Sequence, residues 1–135
     1  MPGEFSTVGA NNALDGALGR VTQTARTVYL AQLTAAPTDA TTLATMAEVA
    51  TAGYARQAIA WTAPTGDPSS TNNSALLTFG PYTADPPLHT HCAVVSASSG
   101  TAGDFIAWWA LTTAKDPATN ESLQFAIGSV VLTVD

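Results

Sequence analysis

Over residues 27–34 the β-branched and aromatic content rises, and an extended chain puts Tyr29, Ala31 and Leu33 on one side and Val28, Leu30 and Gln32 on the other. That period of two predicts a strand with two distinct faces. It returns over 54–62, where Tyr54, Arg56, Ala58 and Ala60 oppose Ala55, Gln57, Ile59 and Trp61, which puts Arg56 on the face of Tyr54. Five more runs, 75–79, 88–97, 104–112, 122–127 and 129–134, read as short strands, with turn-forming stretches at 98–103, 116–120 and Gly128-Ser129. Many short strands at this spacing predict an all-β fold, a single-domain antiparallel β-sandwich or jelly roll over 27–135 whose last strand is paired in the sheet.

Helical periodicity is weak and confined to two places. Residues 1–26 read as an N-terminal arm: 1–11 are polar with Phe5 and Val8 as the only large apolar side chains, and Asn12 is placed to cap a short helix carrying Leu14, Ala17, Leu18 and Val21. After Pro37, Thr38 or Asp39 is placed to cap one or two helical turns with Leu43, Met46 and Val49 or Ala50 on one side, ended by Gly53. Residues 63–74 hold nearly every turn-forming residue type and predict a projecting loop.

Composition narrows the function. The chain has 135 residues, 46% of them hydrophobic, enough for one domain with a real core. Only 10% are charged, and Ala and Thr supply about a third of the chain, which favours neutral surfaces that associate tightly over an exterior laced with salt bridges. The net charge of −6, with Arg20, Arg26, Arg56 and Lys115 scattered, leaves no basic stripe for nucleic acid. No apolar run approaches a membrane span and no signal pattern opens the sequence, so a soluble protein made without export is expected. The single Cys92 is expected as a small core hydrophobe.

Candidate chemistry is thin. His89 and His91 fall on one strand face with Cys92 on the other; a metal site would need further ligands, of which Asp85 is the only near one. No metal and no cofactor are expected, and both histidines are assigned to a strand start or an interface. Trp108 and Trp109 send one indole to each sheet face, so one enters a core and the other packs on a subunit interface or, alternatively, on a sugar ring. No phosphate loop, dinucleotide fingerprint or nucleophile elbow is present, and no enzymatic activity is expected. The triplets Asn72-Asn73-Ser74 and Asn120-Glu121-Ser122 read as turn chemistry rather than glycosylation sites.

Arg56 stands out, because a guanidinium stays charged at any working pH and needs acceptors when set in an apolar run. The order Tyr29-Leu30-Ala31-Gln32-Leu33-Thr34, then Gly53-Tyr54-Ala55-Arg56-Gln57, then Asn72-Asn73-Ser74 ahead of Phe79-Gly80-Pro81, resembles a group of small virion structural proteins of tailed bacteriophages. A strand with His91, a strand start at Gly103-Asp104 and a final Gly-x-Val-x-Leu-Thr segment continue the likeness. The resemblance implies a virion component: a capsid decoration protein binding the major capsid protein or, alternatively, a minor tail or fibre-associated protein touching host glycans. It also implies a homo-oligomer, a trimer by analogy. Tyr54, Arg56, His89, His91, Trp108, Trp109 and Phe5 are the interface candidates, with Arg56 expected to meet a carboxylate or carbonyl across a subunit contact.

Overall fold

The computed structural model describes residues 4–134, so Met1, Pro2, Gly3 and Asp135, part of the expected arm and the end of the last strand, lie outside it. In chain order the described elements are β1 (Glu4–Phe5), α1 (Thr7–Ala17), β2 (Val28–Leu33), β3 (Gln57–Ile59), β4 (Ser69–Asn72), β5 (Leu77–Phe79), β6 (His89–Val95), β7 (Phe105–Lys115), β8 (Leu123–Phe125) and β9 (Val131–Val134). A five-stranded sheet runs β1-β7-β6-β2-β3, and two ribbons, β4-β9 and β5-β8, complete an all-β, wholly antiparallel fold. None of the described helices is long and apolar enough to cross a membrane.

The alternation of β2 builds a core on each side of the sheet. Leu30 joins Cys92, Val94, Ala107 and Trp109 beneath the β5-β8 ribbon, whose Leu77, Phe79, Leu123 and Phe125 close that side. Ala31 and Leu33 join Ala93, Val95 and Phe105 on the other face, which Leu43 and Met46 cover. Two register breaks interrupt the β6-β7 ladder. At the first, Val94 faces Ala107 and Val95 faces Phe105, so Ile106 is the extra residue of a bulge.

The helical expectations need correction. Ser6, not Asn12, caps α1: its hydroxyl accepts from the Gly9 N–H at 3.0 Å and donates to the Phe105 carbonyl. Residues 7–11, expected as extended arm, are therefore its first turns. The helix also sits the other way round, with Gly9 buried against β7 and Leu14 and Leu18 turned outward at 59% and 78% exposure. A Cβ on Gly9 would lie 2.0 Å from the Ile106 carbonyl oxygen, so only the small side of this helix fits so close to the strand.

No helix forms over 38–50. Thr41 and Thr45 hydroxyls accept the backbone N–H groups of Thr38 and Thr42 at 2.8 and 2.9 Å, giving successive turns in place of a helical ladder. The loop expected over 63–74 contains β4, a polar strand held by pairing with β9, whose Leu132 packs on the larger core. Buried Asn73 anchors it, donating to the Ala75 and Ala126 carbonyls at 2.8 and 2.9 Å and accepting from the Val130 N–H at 2.9 Å.

Candidate functional site

The loop joining β2 to β3 turns back along β2, where Val49 N–H donates to the Gln32 carbonyl at 3.0 Å and Glu48 bridges Leu33. Gly53 then reverses the chain at φ +91°; a Cβ there would stand 2.3 Å from the Pro81 carbonyl oxygen, so both the conformation and the space require glycine. This turn delivers Tyr54 and Arg56 beside Glu48. Both precede β3 in irregular backbone, a correction to the strand expected from residue 54. Their side chains still converge.

Arg56 forks onto Glu48, with Nε to Oε1 and Nη2 to Oε2 both at 2.7 Å. Its remaining reach goes to the connection between β6 and β7: Nη1 donates to the Ala97 carbonyl at 3.0 Å and Nη2 to the Gly100 carbonyl at 2.9 Å. The arginine side chain is 5% exposed and Glu48 21%. Tyr54 donates its hydroxyl to Glu48 Oε1 at 2.8 Å, accepts from the Gln32 N–H at 3.0 Å and stacks on Phe79 at 6.0 Å between ring centroids. The hydrogen bonds to Glu48 hold the Arg56 guanidinium above its ordinary pKa, and burial together with the nearby carboxylate pushes the Tyr54 phenol up.

The acceptors expected for Arg56 across a subunit contact are therefore supplied within the chain. With four donor contacts made, the guanidinium fastens two loops together and offers little to a neighbour. Glu48 is the residue that sequence reasoning missed. It is the only carboxylate between Asp39 and Asp67, eight positions before Arg56, and a search for the arginine's nearest acid would have found it.

The other candidates separate. At the second register break His91 faces Ala110 and His89 faces Lys115, so Thr90 alone opposes four residues and the histidines no longer share a face. His89 is 0% exposed, edge-on to the fully buried Tyr82 at 5.6 Å, and neither ring nitrogen has a hydrogen-bond partner. It is a core residue, not an interface one. Burial lowers its pKa against a weaker opposing pull from Asp116. His91 is half-buried beside Trp108, with Nδ1 at 2.8 Å from the Thr90 hydroxyl. Among the described residues no group of three or more His, Cys, Asp or Glu is placed to hold a metal ion.

Trp109 is 6% exposed in the core under the β5-β8 ribbon, and Trp108 is half-buried on the opposite face with a buried, unpartnered Nε1. One indole per face is what the alternation requires. Phe5 pairs with Ala107 in β1 and packs on the larger core. Cys92 is fully buried, with Sγ 3.5 Å from Gln32 Oε1, and burial pushes its thiol up to about 12.

The arrangement is thus an internal fastening, built of the residues whose sequence resembled those phage proteins. No match to the chain is found among curated proteins. A family model described as podophage GP4 fiber I protein gp80 matches residues 4–133. With nearly its whole length matched, the chain belongs to that family of podophage fibre proteins and is a bacteriophage structural protein.

Proposed function

We propose that the chain is a tail- or fibre-associated subunit of the virion, with a structural and not a catalytic role. The observation that carries this reading is the fibre-family match over 4–133, which favours the fibre alternative over capsid decoration. The geometry supports it in two ways. Glu48, Tyr54 and Arg56 hold two connections together without presenting a reactive group. The large side chains of α1 and its C-terminal extension, Val8, Leu14, Leu18 and Val21, face outward, as a surface meant to be covered by protein does. Oligomerisation of the chain, as a trimer or otherwise, belongs to the same proposal.

Quantitative mass spectrometry of purified particles, with immunogold labelling, tests it. A handful to a few tens of copies per particle, with label at the tail or its fibres, is expected. Hundreds of copies with label over the head would instead restore the decoration reading.

A further inference from the structure

The second register break in the β6-β7 ladder leaves something unfinished. Residues 111–114 have no cross-strand partner on β6, and β1 on the other edge reaches only Trp108. Among the described residues this stretch of backbone therefore lies outside both ladders, and Thr112 through Lys115 are exposed. Unpaired strand backbone of this kind is what an extended segment of another chain uses when it adds to a sheet.

The bulge forms one wall of a groove of about 240 Å³, with Trp109 and Leu111 facing Phe125, Val130 and Val131 on the other side. That volume takes two or three side chains of a peptide and is below the usual range for small-molecule pockets. Apolar surface continues outward from it: Val131 is 36% exposed, and Ile127, between Phe125 and Ser129 in the chain, is 67% exposed.

Charge identifies the occupant. The three arginines are each matched with a carboxylate of the same chain, Arg20 with Asp15 at 2.6 Å, Arg26 with Asp104 at 2.8 Å and Arg56 with Glu48 at 2.7 Å. Lys115 is the chain's only lysine, and among the described residues it has no carboxylate partner. Among the described residues, the one basic side chain without a carboxylate partner sits on the rim of this groove. We propose that the groove between residues 111–115 and 129–131 docks an extended acidic segment of a different virion protein, with Lys115 meeting its carboxylate. The proposal rests on the virion reading above and names the partner's chemistry.

The single lysine makes the test direct. Purified particles are treated with a carbodiimide, which joins an amine to a carboxylate in contact with it, and separately with an amine-acetylating reagent. The expected results are a cross-linked peptide joining Lys115 to an Asp or Glu of another virion protein, and acetylation of Lys115 at least about fivefold slower in particles than in the free recombinant protein, the loss of access expected for a contact about 1 kcal/mol deep. Lys115 acetylated equally fast in both settings, or cross-linked only to copies of this chain, overturns the proposal while leaving the virion reading intact. Absence of the protein from particles removes both. A Lys115→Glu, Val131→Asp variant, altered at surface positions, is expected to keep the wild-type melting temperature and to be incorporated at least about fivefold less than wild type. Wild-type incorporation overturns the proposal.

Discussion

Arg56→Ala tests whether the arginine is a fastening within the chain or a contact between chains. The substitution removes both bonds to Glu48 and strands the Ala97 and Gly100 carbonyls. Breaking a buried ion pair by deleting one partner costs about 3–5 kcal/mol, and the 21% exposure of Glu48 lets water solvate the abandoned carboxylate, which puts this case at the low end. About 3 kcal/mol lowers the melting temperature of a domain this size by roughly 10 °C. Arg56→Lys should forfeit roughly half as much, because an ammonium cannot span two carboxylate oxygens and two loop carbonyls at once.

The assay is thermal unfolding by circular dichroism at two protein concentrations, with sedimentation to follow assembly. A Glu48→Gln, Arg56→Met pair should lose less than the sum of its single changes, with a coupling of about 2 kcal/mol. If Arg56→Ala melts within about 2 °C of wild type, a loss under 1 kcal/mol, the fastening contributes nothing measurable. If only the sedimentation changes, the arginine works between subunits and the reasoning is refuted.

Three further outcomes follow from the geometry. Gly53→Ala must place a Cβ 2.3 Å from the Pro81 carbonyl at φ +91°, and should destabilise the fold by about 2 kcal/mol or more, read as a shifted urea midpoint. His89 has its pKa lowered by burial, so its neutral form stabilises the fold fully above the unfolded value of about 6.5, and that stability is lost as pH falls toward the folded value. Melting temperature should therefore decline below about pH 6.5, and a His89→Phe variant should decline less steeply over that window. Cys92, fully buried with its thiol pushed up to about 12, should resist a thiol-labelling reagent at pH 8 until denaturant is added; rapid labelling of native protein would contradict its place in the core.

What the sequence discloses follows from which interactions are local. The two faces of β2 were legible because alternation depends only on the chain itself, and Leu30 and Ala31 do enter opposite cores. The separation of His89 from His91 was not, because it arises from four residues of β7 facing Thr90, a mismatch visible only once both strands are paired. The helix misled for a different reason. Periodicity locates the apolar side of α1, but the close approach to Ile106 selects the glycine side for packing. Likewise the threonine-rich stretch after Pro37 carried helical spacing, but its hydroxyls bond the Thr38 and Thr42 N–H groups into separate turns. The attraction of Arg56 to an acid was legible in kind, but its partner Glu48 lay eight residues upstream in a stretch read as helical.

These local arrangements share one consequence for assembly. In a chain only 10% charged, three carboxylates are committed to arginines of the same molecule, and two of those pairs hold connections in place: Arg56 ties the β2-β3 loop to the β6-β7 turn, and Arg26 ties the segment before β2 to Asp104 at the start of β7. Using ions for internal fastening holds these connections together, while Glu4, Asp39, Asp67, Asp85, Asp116 and Glu121 stay exposed and give the surface its net negative charge. Held loops lower the ordering cost of association, and outward Leu14, Leu18 and Ile127 supply apolar area that association would bury. The arginine pairs thus account for three of the ten carboxylates and leave the rest to set the charge that any partner meets.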